Sequence, residues 1–427
     1  MENSTHSVLS ACRAHSRRAA ALLAALALFG CNTDGLLKVE SPSDLDAKYL
    51  EQPEYAGLLV NGVVADFTCA FGAFVLTEAI VSDELADATF NAAAWPLDRR
   101  DVPSSAAYGT NDCTNNQVPG IYTPLSVARW SADNAVTRLG GWTDAQVAGR
   151  DSLRATAALY AGFSYTLLGM SMCSAAVDGG PELTPAQLFA LAEDRFTIVL
   201  GLSEGGRWPL IRGAALIGRA RVRLYQGDGP GAAADAALVP DDFVFHASAE
   251  KEVPRAYNRV YAATIQNRYY TVEPVSIGLT TGGVEDPRTA AVNNGLRGQD
   301  GTTVWQQQKY RDLASPISFA RTAEARLITA EVEGGETAVN IINDLRDAAG
   351  LPHFESDDEG EIQNTVIEER RRELWLEGFR LYDILRKNLP LEPAAGTPYQ
   401  PTKNGVYGTT LCLPLPDVER FHNPNIN

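Results

Sequence analysis

A mainly α-helical fold, built of tetratricopeptide-like helical pairs carrying long irregular loops, is predicted for this chain from three observations. Apolar residues recur at three-, four- and seven-residue steps over 366–386, and further stretches over 126–139, 148–172, 183–200, 212–226, 321–333 and 337–349 read as helices. Several helical stretches set Ala and Gly against large aromatics, the interlocking expected when short helices stack in pairs. Two stretches, 82–123 and 240–310, break the period with Pro, Gly, Asn, Asp and Ser. The 427 residues carry 36 Lys and Arg against 53 Asp and Glu, a net charge of −17. So acidic a chain argues against nucleic acid or anionic lipid as a ligand.

Residues 1–30 read as a signal peptide. Arg13, Arg17 and Arg18 precede a short apolar run, Ala19 to Phe29, too short to span a bilayer. Leu28-Phe29-Gly30-Cys31 has the form of a bacterial lipobox, so Cys31 is expected to carry the lipid. Acyl chains on one cysteine anchor firmly, at about 0.8 kcal/mol per buried CH₂. No later segment reads as long and apolar enough to cross a membrane, so the expected mature protein is tethered by lipid alone. Residues 31–427 are expected to form a single helical domain.

After a polar tether over 32–46, Ser43 or Asp44 would cap a helix over roughly 44–65. The excursion at 82–123 is longer than loops in compact domains usually are. It holds Trp95, Arg99, Tyr108 and Asn111 beside Cys113, and an aromatic loop pinned by a cysteine is a candidate recognition surface. Helices follow over 126–139 and 148–172, then a pair over 183–200 and 212–226, with another starting at 232. The second irregular stretch contains a β-like fragment at 272–279 and Trp305, a further aromatic to place at a ligand groove. A final pair, 321–333 and 337–349, turns at Gly334-Gly335 and closes at Gly350 and Pro352.

Residues 366–386 read as one long helix on an apolar stripe of Ile367, Leu374, Gly378, Leu381 and Leu385. Gly378 on that stripe implies close approach of a neighbouring backbone. Glu369, Glu373 and Glu377 stack at i, i+4 steps, where like charges repel, and Arg370 and Arg380 are the local candidates to neutralise them. The five form an expected structural charge network. Two glutamates one turn apart approach the 5–5.5 Å separation of a retaining glycosidase, but they face the same way.

Cys69, Cys113, Cys173 and Cys412 allow two disulfides in three possible pairings. No metal-ligand spacing, P-loop, dinucleotide fingerprint or Ser/His/Asp set occurs, so neither metal, cofactor nor catalysis is expected.

Glu369-Arg370, Glu373-Leu374, Glu377-Gly378, Arg380 and Asp383-Ile384-Leu385-Arg386 resemble the C-terminal signature of the RagB/SusD family. Further similarities are Ala323-Glu324-Ala325, Ala330-Glu331, Ile341 to Arg346, Asp286-Pro287-Arg288 ahead of Lys309-Tyr310, and the closing Leu413-Pro-Leu-Pro416. The resemblance covers most of the chain after the leader and is weakest over 82–123 and 240–285. It implies an outer-membrane lipoprotein at the cell surface that captures a nutrient, a glycan or a peptide. It also implies a partner, a SusC-like TonB-dependent outer-membrane transporter that takes up the oligosaccharide or peptide ligand. A rival is a helical repeat scaffold that binds periplasmic or surface proteins, which would have no need of the aromatic loop at 82–123.

Overall fold

The computed structural model describes residues 49, 51–401 and 403–426. The leader, Cys31, the tether and the expected cap at Ser43 or Asp44 lie outside the described residues. The first long helix is α1, Ala56–Val81, rather than 44–65. A 3₁₀ turn at Pro53–Tyr55 leads into it, since proline suits a first helical turn whose N–H groups have no partner. Every residue of α1 from Cys69 to Val81 is buried, and a helix apolar on all faces belongs in the middle of a fold. By length and composition this segment could cross a membrane, which corrects the expectation that no later segment could. Here it is the central core helix.

Around α1 the chain winds as α2 (Tyr122–Gly141), α3 (Arg150–Ser171), α4 (Pro185–Leu202), α5 (Pro209–Gln226) and α6 (Gly229–Ala236). Each packs on its predecessor, and α3 also rests on α1. Small residues set the spacing. A Cβ on Gly162 of α3 would stand 2.7 Å from the Phe196 ring, and one on Gly218 of α5 would stand 2.4 Å from it. Phe196 of α4 is therefore clamped between two glycines, the small-against-large interlock expected from sequence. A capping box of Thr184 and Gln187 starts α4.

Phe319 joins this body to the later chain, its ring 4.8 Å from Phe163, 5.3 Å from Phe67 and 5.1 Å from Phe245. Beyond it, α7 (Thr322–Glu333), α8 (Gly335–Ala349) and α9 (Glu359–Glu373) close on a small core of Ala330, Ala338, Ile342, Ile362 and Val366.

The expected helix over 366–386 is broken in two. α9 stops at Glu373 and α10 spans Arg380–Lys387, with Leu376 at φ 56° and Gly378 at φ 84° between them. Distant side chains meet the backbone groups the break releases. The Leu376 N–H donates to Glu84 at 3.0 Å, while Lys309 donates to the Trp375 carbonyl at 2.6 Å and Tyr310 to that of Leu376 at 3.1 Å. These bonds satisfy one backbone N–H and two carbonyls that the helix no longer pairs, and tertiary bonding overrides the periodicity. The close approach at Gly378 comes from a side chain, not a backbone: a Cβ there would lie 2.6 Å from the Phe74 ring.

The two irregular stretches are joined to each other. β1 (Leu85–Asp87), from the first, pairs antiparallel with β3 (Tyr270–Val272), from the second, Leu85 opposite Val272. β2 (Val244–Ala247) pairs with β6 (Ile317–Arg321), and β4 (Ala291–Arg297) with β5 (Thr303–Gln307). The β-like fragment expected at 272–279 is thus a strand ending at Val272, followed by a turn at Pro274–Ser276. Of the three pairings left open, the disulfides are Cys69–Cys113 and Cys173–Cys412. The first pins the loop after α1 to that helix. The second fastens the C-terminal tail to the end of α3, where Met172 bridges to Leu413.

Candidate functional site

Where β3 and β5 meet a turn at 396–407, a cavity of about 640 Å³ opens. Alternation along β5 aims its side chains: Val304 and Gln306 are buried, while Trp305 between them is half-buried and lines the cavity. The Trp305 N–H donates to Thr271 Oγ1 at 2.8 Å, fixing β5 against β3. Tyr407 comes from the turn, which is held by Tyr399 N–H to the Gly405 carbonyl at 3.0 Å and Tyr407 N–H to the Thr397 carbonyl at 2.9 Å. Gln400 from the same turn donates through Nε2 to the Asp87 carbonyl at 2.8 Å and to Asp98 at 3.1 Å. Its Oε1 is buried with no partner among the described residues.

Behind that wall lies a cluster of buried charge. Lys403 is fully buried and bonds Asp87 at 2.6 Å and Asp300 at 3.0 Å. Burial, reinforced by the Asp87 charge, pushes the Asp98 carboxyl up to about 7, although the Tyr399 hydroxyl donates to it at 2.6 Å. Glu273 lines the cavity itself. Burial and the nearby Asp98 push its carboxyl up to about 8, with Arg100 pulling the other way. Arg100 turns elsewhere, donating to the carbonyls of Ser82 at 3.3 Å and Glu392 at 3.1 Å, its guanidinium 4.9 Å from the centre of the Tyr407 ring. Trp305, Tyr407, three threonines, Gln400 and the carboxyl residues Glu273 and Asp300 line the cavity together. That set suits a polyhydroxylated ligand with one apolar face, as sugars have.

The residues expected from sequence are distributed unevenly around this site. Trp305 lines it. Trp95 begins a single helical turn, Trp95–Asp98, and donates through Nε1 to the Thr89 carbonyl at 3.3 Å; it does not line the cavity. Arg99 pairs with Asp101 at 3.2 Å and reaches the Asn404 carbonyl at 3.5 Å, against the turn that carries Gln400 and Tyr407. Tyr108 needs correcting as a ligand contact, and half-buried Asn111 lies outside the cavity lining. Tyr108 has no exposed surface and its hydroxyl donates to the Pro414 carbonyl, while the Asn111 amide donates to the Val118 carbonyl at 2.8 Å. Both shape their own loop. Sequence reasoning missed Glu273, Gln400, Tyr407 and Asp300. Glu273 sits in the flagged β-like fragment, and Gly396, Pro398, Pro401 and Gly405 were the one sign of a structured turn.

The glutamate ladder is neutralised from other elements, not by its own helix. Glu369 pairs with Arg346 at 2.7 Å and Arg288 at 2.8 Å. Glu373 pairs with Arg321 at 2.6 Å and Arg288 at 3.2 Å, and Glu377 with Lys309 at 2.7 Å and Arg321 at 3.0 Å. Arg370 and Arg380, the expected local partners, instead bond Asp383 at 3.1 Å and Asp83 at 2.6 Å. Helix geometry explains it: Arg370 and Arg380 are 1–2 % and 7 % exposed and point into the core, whereas the glutamates face α8, β6 and the Asp286–Arg288 turn. All six oxygens of the three glutamates are held by cations, which leaves none to serve as a general acid or base.

Comparison with known proteins gives a consistent picture. A model described as the SusD family matches residues 254–407. SusD-like protein P2 of Formosa agariphila is 36% identical over 119 residues, 25% of this chain and 24% of that protein, so the match spans about a quarter of the relative's length. A SusD-like carbohydrate binding protein from Bacteroides vulgatus superposes with a TM-score of 0.63 at 17% identity, covering 88% of this chain and 97% of that one. Surface glycan-binding protein A from Bacteroides thetaiotaomicron, solved in complex with laminarihexaose, superposes with a TM-score of 0.64 at 14% identity, covering 87% and 98%.

Proposed function

From the match of residues 254–407 to the SusD family model we propose that this is a SusD-like protein, which captures a glycan at the cavity lined by Trp305 and delivers it to a TonB-dependent outer-membrane transporter. One observation supports the capture function: a half-buried tryptophan, Trp305, lines a cavity whose other lining residues include Gln400, Tyr407 and several threonines. A sugar ring would lay its C–H face on the indole and turn its hydroxyls to the polar residues of the lining. Glycans named for relatives of the same fold support the ligand class. Trp95 and Arg99 would act at the margin, Arg99 by bracing the Asn404-Gly405 turn. Cys31 would carry the lipid that tethers the protein at the outer membrane, and a tethered captor raises ligand concentration at a transporter without tight binding. With the ladder carboxylates fully paired, the protein would bind its ligand without chemical change.

The test is mild detergent extraction of the native protein, followed by mass spectrometry of what remains bound. A large outer-membrane β-barrel in roughly equal amount supports delivery. Recovery of periplasmic proteins with no barrel would overturn it in favour of a scaffold.

A further inference from the structure

The charges around the cavity are distributed one-sidedly. Its lining contains two carboxyl residues, Glu273 and Asp300, and among the described residues no Lys, Arg or His. The nearest cations are already committed. Lys403 lies behind the wall, fully buried between Asp87 and Asp300, and Arg100 is bound to backbone carbonyls and covered by the Tyr407 ring. An anionic group entering the cavity would therefore lose its hydration, find no cation and lie beside a carboxyl. A buried charge without a partner is strongly disfavoured, whereas a neutral hydroxyl needs only a hydrogen-bond partner. We propose that this cavity takes neutral saccharides and turns away those bearing uronate or sulfate groups, with Glu273 as the residue that sets the preference. This rests on the capture function proposed above.

The ionisation of Glu273 gives the preference a signature. The groups facing it are Asp98 and Asp83, which raise its pKa, and Arg100, which lowers it, with Tyr407 across the cavity and Asp300 neutralised by Lys403. With its carboxyl titrating at about 8, Glu273 is largely protonated at pH 6 and charged at pH 9. Rejection of anions by Glu273 therefore grows as pH rises through that range.

The experiment is calorimetric titration of the intact protein and of Glu273→Gln at pH 6 and pH 9. The probes are neutral hexasaccharides, laminarihexaose among them, and the same hexasaccharides oxidised at C6 to uronates. In the wild type, the uronate of whichever hexasaccharide binds should be at least tenfold weaker than its neutral parent at pH 9, with a smaller gap at pH 6. In Glu273→Gln the gap at pH 9 should shrink at least threefold, toward the wild-type gap at pH 6, leaving the part due to burying an anion where no cation lines the cavity. Equal or tighter binding of the uronate by the wild type at pH 9 overturns the inference alone, and this comparison stands even if the variant fails to fold. An unchanged gap in a folded Glu273→Gln also overturns it. Failure of every saccharide to bind the wild type overturns the capture function with it.

Discussion

Replacing Glu331 by Gln should cost about 3 kcal/mol of folding stability at neutral pH. The side chain is 5% exposed and bonds Arg386 at 2.5 Å and Lys387 at 2.6 Å, with Arg370 at 3.9 Å. Burial alone would raise its pKa, but the hydrogen bonds and charges of Arg386, Arg370 and Lys387 outweigh burial and hold it at about 2, against an ordinary 4.5. Each pH unit of that gap corresponds to about 1.36 kcal/mol, which yields about 3 kcal/mol. Because the folded-state pKa is the lower one, the contribution is complete above about pH 4.5 and fades as pH falls toward 2. At pH 3 about 1.5 kcal/mol should remain. Guanidinium denaturation of the wild type and Glu331→Gln at pH 7 and pH 3 measures both values. A loss under about 1 kcal/mol at pH 7, or one as large at pH 3 as at pH 7, would refute the assignment of Glu331 as the anion that holds Arg386 and Arg370.

Two further perturbations have readable outcomes. Gly378→Ala places a Cβ 2.6 Å from the Phe74 ring at φ 84°, combining left-handed strain with overpacking. It should destabilise the protein by about 2–4 kcal/mol in thermal or chemical denaturation. Cys69→Ala with Cys113→Ala opens a loop closed across a separation of 44 residues. The expected loss is about 2–4 kcal/mol, with limited proteolysis cutting first between residues 110 and 117.

The helical body was legible in the sequence because its information is local: small residues alternate with large aromatics at helical spacing, and the structure shows one such interlock at Gly162, Phe196 and Gly218. The break between α9 and α10 was not. An apolar stripe continues through Leu374, Gly378 and Leu381, and what ends the helix is the set of bonds from Glu84, Lys309 and Tyr310, which no local pattern announces. The ladder glutamates were visible as charges needing partners, yet Arg288, Arg321 and Arg346 reach them from other elements. The site divides the same way. Trp305 stood out as an aromatic in an irregular stretch, whereas Gln400 acquires its place from bonds to Asp87 and Asp98, more than 300 residues earlier in the chain. Tyr108 looked like a ligand contact because a loop's own packing needs the same residue types as recognition does.

The central claim is that the cavity at Trp305 captures a saccharide, and calorimetric titration of neutral oligosaccharides against the wild type and Trp305→Ala tests it most directly. Loss of the stacked indole should weaken binding at least tenfold, equivalent to about 1.4 kcal/mol, while the melting temperature stays close to that of the wild type. Binding by Trp305→Ala as tight as by the wild type would contradict the account.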